Sequence, residues 1–214
     1  MEAIQSNSVN INLWRVSLKG VLTIPPSSKG IVIFSHGSGS SHLSPRNEYI
    51  AGKLNSRKFG TLLFDLLTEE EDININNRFD IELLTNRLIQ TSQWLREQSA
   101  SANLSLAFFG ASTGAASALR TAALLGKEVK AVVSRGGRPD LAGDSYLEKV
   151  TSPTLLLVGG NDKLVLNLNE NALQKMNCTR ELKINPEADH LFSEPGKLEQ
   201  VALLSNQWFD NFLN

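Results

Sequence analysis

The sequence is poor in cysteine and has no long apolar segment. Its single cysteine, Cys178, leaves no possibility of a disulfide within the 214 residues, which is typical of a reducing compartment and predicts a cytoplasmic location. No apolar run approaches the length of a membrane-spanning helix, about 20 residues. The first ten residues carry neither the basic start nor the apolar core of a signal peptide, so we expect no membrane association.

The chain also lacks an excess of charge. Its 21 Lys and Arg residues against 22 Asp and Glu residues give a net charge of -1. This balance gives no electrostatic reason to expect nucleic acid as a partner. A chain of 214 residues that is 41% hydrophobic can bury a core without metals or disulfides, so we expect one domain over residues 1–214. The oligomeric state is not indicated.

Strand patterns alternate with helix patterns along the chain. Residues 9–24 alternate apolar and polar and predict a hairpin with Lys19-Gly20 as its turn. After the hairpin, the predicted strands are 31–34, 61–67, 104–110, 129–134, 154–160 and 179–184, and the predicted helices are 45–58, 80–98, 113–126, 167–176 and 195–213. This order predicts an α/β fold with a mostly parallel sheet, an N-terminal antiparallel hairpin and helices on both faces.

The segment "FFGASTGAAS" (108–117) carries the first candidate catalytic residue. An apolar strand leads into it and a helix of small residues follows, so Ser112 lies on the connecting turn between Gly110 and Gly114. That context is typical of a nucleophile on a strained strand-to-helix turn. The alternative is an idle serine in a glycine-bounded loop.

A second glycine-containing loop, "SHGSGSS" (35–41), follows the first central strand. An oxyanion hole requires two converging N–H donors, and we expect them from Thr113, directly after the candidate nucleophile, and from Ser38 in this loop. We interpret His36 as structural, holding the loop through its ring nitrogens. A phosphate-binding turn is the alternative, but the loop lacks the lysine and the spacing of a P-loop.

Two more polar residues follow later strands. Asp162 comes after the strand 154–160, where a carboxylate can orient an imidazole, although it can equally be a turn residue or a helix cap. His190 follows the last strand, and an imidazole can act as base and then as acid near neutral pH. The order Ser112, Asp162, His190, each after a successive strand, is that of one catalytic fold and not of chymotrypsin or subtilisin.

With these residues in place the sequence resembles the α/β-hydrolase family, and within it the small dienelactone hydrolase-like branch. The segments that carry the resemblance are "FSHGSGSSHLSPRN", "FFGASTGAA", "SRGGRPDLAG" and "LLLVGGNDKLVLNLN". Similar proteins are sometimes fused to a phosphoribosyltransferase-like domain, which the present sequence does not contain. Dienelactone hydrolases proper use a cysteine nucleophile, whereas this chain has serine at that position, so the resemblance does not specify a dienelactone substrate.

Substrate size and charge are indicated by one connection. Few residues separate the strand ending at Ser134 from the one starting at Thr154, leaving room for one short helix over about 141–149 and no large lid. We therefore expect an open site for small soluble acyl compounds. Arg135 and Arg138 can clamp an anionic substrate group, or they can instead pair with Asp140 or Asp144. His42 and Arg46 are further candidates for the rim of the site.

The sequence thus predicts a carboxylic ester hydrolase that cleaves small esters, thioesters or lactones through an acyl-enzyme. Neither a metal nor an organic cofactor is implied. The alternatives are a non-catalytic ligand-binding protein on a hydrolase scaffold and an acyltransferase, which requires the same triad in a site that excludes water.

Overall fold

The computed structural model describes residues 5–213. Residues 1–4, which belong to the segment of the signal-peptide prediction, and residue 214 lie outside the described chain. Eight strands form one sheet in the order β1-β2-β4-β3-β5-β6-β7-β8. The strands are β1 (Ser6–Asn12), β2 (Ser17–Thr23), β3 (Gly30–Ser35), β4 (Phe59–Phe64), β5 (Leu106–Ala111), β6 (Val129–Arg135), β7 (Thr154–Gly159) and β8 (Arg180–Asn185).

The sheet is antiparallel only along β2, which pairs with β1 on one side and with β4 on the other. From β4 to β8 all pairs are parallel. The predicted α/β fold, with its mostly parallel sheet and antiparallel N-terminal hairpin, is therefore confirmed. All carboxyl ends of the parallel strands lie at one edge of the sheet, where the loops of α/β proteins carry function.

Within residues 5–213, seven α-helices follow or connect the strands, and helices cover both faces. They are α1 (Pro45–Asn55), α2 (Glu69–Asp72), α3 (Ile81–Glu97), α4 (Thr113–Leu125), α5 (Asp144–Leu147), α6 (Lys163–Lys175) and α7 (Lys197–Phe212). Buried side chains of α3, α4 and α6 form the core on one face. Those of α1 and α7 form the core on the other. None of the helices described is long and apolar enough to cross a membrane.

Helices α1 and α3 begin with side-chain caps. Ser44 and Asp80 accept hydrogen bonds from backbone N–H groups of the first turns of α1 and α3, and Pro45 is the first residue of α1. The lid prediction is also confirmed, because residues 136–153 hold only a 3-10 turn (Pro139–Ala142) and the one-turn helix α5.

The predicted hairpin turn at Lys19-Gly20 is wrong. The turn lies five residues earlier, at residues 13–16, where Leu13 N–H donates to Val16 O at 2.8 Å. Lys19 and Gly20 are inside β2, opposite Asn10 and Val9. Gly20 is needed there for close strand packing, because a Cβ atom would lie 2.8 Å from the carbonyl oxygen of Leu63 on β4.

The predicted strand 61–67 also needs correction. The strand ends at Phe64, so Leu66 and Leu67 are buried in the connection that follows. The acidic run 69–72 forms the short helix α2, which has no buried residue and begins with a capping box between Thr68 and Glu71. Glu71 then pairs with Arg87 at 2.5 Å and Asp72 with Arg78 at 2.8 Å.

Candidate active site

Ser112 lies on a strained turn between β5 and α4. Its φ of 51° and ψ of -123° are in a region that residues other than glycine rarely adopt, and such strain costs about 1–3 kcal/mol. Its N–H donates to Arg135 O at 3.2 Å, and its own carbonyl oxygen accepts from Arg138 N–H at 3.0 Å. The turn therefore holds Ser112 at the carboxyl edge of the sheet, at the amino end of α4, as the sequence predicts.

The two glycines that flank Ser112 are needed for packing. A Cβ atom on Gly114 would lie 2.1 Å from Ser35 O and 2.4 Å from His36 O. A Cβ atom on Gly110 would lie 2.4 Å from the Cα atom of Ala115. Both positions are too close for any side chain, so the sharp turn depends on glycine at each.

His190 and Asp162 form a hydrogen-bonded pair. His190 Nδ1 and Asp162 Oδ2 are 2.6 Å apart, and the two side chains are 38% and 16% exposed. An Nδ1–H group donated to the carboxylate leaves Nε2 unprotonated and able to accept a proton. The other oxygen, Asp162 Oδ1, accepts from Val165 N–H at 3.4 Å and caps α6. The catalytic and the helix-cap interpretations of Asp162 are thus both compatible with its contacts.

Gly136 lies between the backbone contacts of Ser112 and the ring of His190. A Cβ atom on Gly136 would lie 3.5 Å from Cε1 and Nδ1 of His190, so the imidazole packs directly on this glycine. Ser112 is bonded to the backbone of Arg135 and Arg138, on both sides of Gly136. Among residues 5–213, His190 is hydrogen-bonded to Asp162 and not to Ser112 Oγ.

The loop after β3 also reaches Ser112. A Cβ atom on Gly37 would lie 3.0 Å from Ser112 Cβ, so the loop backbone contacts the candidate nucleophile. The next N–H, that of Ser38, donates to Thr113 Oγ1 at 2.9 Å. The structure therefore brings the two predicted oxyanion donors together, but the Ser38 N–H is occupied by the Thr113 hydroxyl, a contact that sequence reasoning did not anticipate.

His36 has a structural role in this loop. Its Nε2 accepts from Leu66 N–H at 3.1 Å, which leaves Nδ1 as the protonated nitrogen facing Gly37 O at 3.0 Å. Removal of the ring from solvent is the main cause that lowers the pKa of His36. A neutral imidazole thus ties the loop to the end of β4, as the sequence predicts.

The two candidate substrate-binding arginines have different environments. Arg138 forms two hydrogen bonds with Asp140, at 2.9 and 2.7 Å, so this guanidinium is engaged within its own loop. Arg135 is only 7% exposed, and its Nε and Nη1 atoms have no partner among residues 5–213. For Arg138 the alternative of pairing with Asp140 is the one observed, and a clamp of both arginines stays a prediction.

The other two rim candidates also differ. His42 is bonded twice to Asp65, through its backbone N–H and through Nδ1, each at 2.8 Å. This pair joins the loop after β3 to the end of β4. Arg46, in the first turn of α1, has a buried Nε atom without a partner in the described part of the chain.

The fold and the strand-to-helix turn with its serine identify the class, and comparison with known proteins agrees. A family model described as an alpha/beta hydrolase domain matches residues 28–206. The chain belongs to this family. Within it, the chain lies in the dienelactone hydrolase-like branch, because it is 48% identical to a dienelactone hydrolase from Anabaena variabilis, with a TM-score of 0.95 over 99% of both chains.

More distant structures share the fold. An esterase from Pyrococcus furiosus superimposes with a TM-score of 0.80 at 16% identity, over 99% of this chain and 92% of the other. Curated relatives from two strains of Mycobacterium tuberculosis, provisionally named phosphoribosyl transferases, are 52% identical over 210 residues. That alignment covers 98% of this chain and 47% of each relative, so the chain spans about half the length of the curated relatives that it matches.

Proposed function

We propose that the chain is a serine hydrolase that cleaves small soluble esters, thioesters or lactones through an acyl-enzyme. The observation that carries the proposal is the His190–Asp162 hydrogen bond of 2.6 Å, seated on Gly136 beside the strained turn of Ser112. A nucleophile, a base and a group that orients the base are the parts that acyl transfer to a serine requires.

The reaction starts with proton transfer from Ser112 Oγ to His190 Nε2. The oxygen attacks the substrate carbonyl carbon, and the negative charge moves to the carbonyl oxygen. His190 then gives the proton to the leaving alcohol or thiol as the bond to it breaks. In the second half, His190 takes a proton from water, hydroxide attacks the acyl-enzyme, and the acid leaves as Ser112 regains its proton. Asp162 stabilises the imidazolium in both halves.

The oxyanion is held by two groups of Thr113 in this proposal. The backbone N–H of Thr113 is one donor. The hydroxyl of Thr113 accepts from Ser38 N–H at 2.9 Å and retains its own hydrogen for donation. Ser38 thus acts through Thr113, and the chain of two hydrogen bonds polarises the hydroxyl that faces the charge. This arrangement modifies the expected pair of backbone donors.

The short connection between β6 and β7 is the reason to expect small substrates. It contains one 3-10 turn and one helical turn, so this connection provides no cap domain to enclose a long acyl chain. The phosphoribosyl transferase name of the mycobacterial relatives belongs to chains about twice as long. The alignment covers 47% of each relative, so that name does not carry an activity over to this chain.

The experiment that tests the proposal is covalent labelling with a fluorophosphonate, followed by a panel of p-nitrophenyl esters of increasing acyl length. We expect labelling of the wild type and of Ser40→Ala, a control in the neighbouring loop, and none of Ser112→Ala. Ester hydrolysis should fall at least about 10³-fold in Ser112→Ala and should favour short chains. An unlabelled wild-type protein would support a ligand-binding role instead, and faster acyl transfer to added alcohols than to water would indicate an acyltransferase.

A further inference from the structure

Arg135 carries a buried positive charge without a partner in the described chain. Its side chain is 7% exposed, and two of its three nitrogens are buried and unbonded. Burial, and secondarily the charge of Arg46, lower the pKa of Arg135 to about 10, so the group is protonated at neutral pH. Burying a charge that nothing neutralises is strongly unfavourable. The position therefore favours an anion that comes from a ligand.

Arg46 adds a second positive charge on the same side of the sheet. Val133 of β6 packs in the core beneath α1 and α7, and side chains two residues apart on a strand share a face, so Arg135 lies on that face too. Arg46 is in the first turn of α1, and its Nε atom is also buried and unbonded. Neither guanidinium forms an ion pair within residues 5–213.

The acidic side chains at this edge of the sheet have other partners. Asp162 is bonded to His190, Asp140 to Arg138, and Asp65 to His42. Asp189 is held by Ser193 and by the backbone of its own loop. The two arginines are therefore not neutralised by the carboxylates that follow the neighbouring strands.

The unpaired charge lies next to the candidate nucleophile. Arg135 is the register partner of Ala111, the residue before Ser112, and adjacent strands are about 4.8 Å apart. Its carbonyl oxygen accepts the Ser112 N–H, and the following residue, Gly136, supports the His190 ring. A group bound by Arg135 is thus within the length of one small molecule from Ser112.

We propose that Arg135 and Arg46 form an anion-binding subsite that selects esters with a carboxylate remote from the scissile carbonyl. This inference rests on the proposed hydrolase function. Guanidinium groups form charge-assisted hydrogen bonds with carboxylates, which are stronger than neutral ones. The subsite replaces the clamp of Arg135 with Arg138, because the guanidinium of Arg138 is already paired with Asp140.

The test compares an anionic with a neutral ester of similar size: mono-p-nitrophenyl succinate and p-nitrophenyl butyrate. We expect the wild type to prefer the succinate ester in kcat/KM by at least about tenfold, worth about 1.4 kcal/mol. Arg135→Gln should reduce this preference at least tenfold, mainly through KM, and Arg46→Gln should reduce it in the same direction. Arg138→Gln, the matched control, should leave the preference unchanged.

Equal kcat/KM values for the two esters, or a preference that survives in Arg135→Gln and Arg46→Gln, would overturn the subsite. Arg46 is only half-buried, so its variant keeps the test valid if Arg135→Gln does not fold. Loss of the preference in Arg138→Gln would also overturn the assignment, since it would show that Arg138, in the loop after β6, binds the substrate carboxylate.

Succinate binding, measured by isothermal titration calorimetry, separates this inference from the hydrolase proposal. Binding that is at least tenfold weaker in Arg135→Gln, in a protein that hydrolyses neither ester, would support the anion site and refute the hydrolase. Hydrolysis of both esters that depends on Ser112, with no succinate binding, would leave the hydrolase and refute the anion site. Succinate binding that depends on Arg135, without a preference between the esters, would show that the subsite binds a free anion. It would refute the proposal that the subsite selects the substrate.

Discussion

At the residue scale, the carboxylate of Asp162 makes two hydrogen bonds, one to His190 and one to the first turn of α6. One carboxylate oxygen faces His190 and the other caps α6. Asparagine retains a cap oxygen but loses the charge that stabilises an imidazolium, so the two roles can be separated.

Asp162→Asn should therefore lower kcat for ester hydrolysis by about 10³- to 10⁴-fold. Its free energy of unfolding, from urea titration, should change by less than about 1 kcal/mol, because asparagine caps helices as well as aspartate does. Asp162→Ala is the control: it should lose about 1 kcal/mol more with the cap. A kcat within tenfold of wild type in Asp162→Asn would contradict the proposed role.

Thr113→Val tests how the oxyanion is held. It removes the hydroxyl that accepts the Ser38 N–H, and loss of one oxyanion donor typically costs about 10²- to 10³-fold in kcat. Thr113→Ser, which keeps the hydroxyl, should stay within about fivefold of wild type, whereas Thr113→Val should lose about 10²-fold. Steady-state kinetics on one short ester is sufficient. Wild-type kcat in Thr113→Val would show that Ser38 N–H acts directly.

At the scale of elements, glycine determines how closely the turn between β5 and α4 approaches the end of β3. The predicted turn around Ser112 is observed, and its reason is visible in the contacts of Gly114 with the backbone of β3. Such a position has no room for a methyl group, whereas a glycine in an exposed helix has only a conformational cost.

Gly114→Ala should lower the free energy of unfolding by about 3 kcal/mol or more, because a Cβ atom there would lie 2.1 Å from Ser35 O. Gly52→Ala, exposed inside α1 with nothing within 4 Å of the new methyl group, should instead raise it by up to about 1 kcal/mol. Urea unfolding of the two variants measures both signs. Similar effects of the two substitutions would contradict the close approach of β3 and α4.

Element boundaries were less predictable than element types. The sequence predicts a helix from residue 167, but α6 begins at Lys163, directly after the cap provided by Asp162. The hairpin turn was misplaced because Lys19-Gly20 has the composition of a turn, while Gly20 serves the packing of β2 against β4. Local composition does not distinguish a glycine that turns the chain from one that admits a neighbouring strand.

At the scale of the whole molecule, the loop after β3 is anchored by a neutral His36. Its ring accepts the Leu66 N–H, and burial lowers its pKa. In the unfolded chain an imidazole titrates near a pH of about 6.5. Below that pH the unfolded state takes up a proton that the folded state does not, so the stability present above about pH 6.5 is lost progressively towards the folded pKa.

Wild-type stability should therefore fall between pH 7.5 and 5 more steeply than that of His36→Gln, by up to about 1.4 kcal/mol for each pH unit. The variant is expected to be less stable at pH 7.5, since it loses the imidazole nitrogen that accepts the Leu66 N–H. Urea midpoints at several pH values, taken as the difference between the two proteins, isolate the contribution of this histidine. Parallel pH profiles would show that His36 is not the group that titrates.

The sequence by itself determined the α/β fold, the family resemblance and the order of Ser112, Asp162 and His190, because hydrophobic periodicity and strand-to-helix turns are local properties of the chain. Only the tertiary structure decided which polar groups meet: Arg138 pairs with Asp140, Arg135 stays unpaired near Arg46, and the Thr113 hydroxyl takes the Ser38 N–H. The physical reason is that hydrogen bonds and charge pairs depend on distances between residues far apart in sequence, which no local pattern specifies.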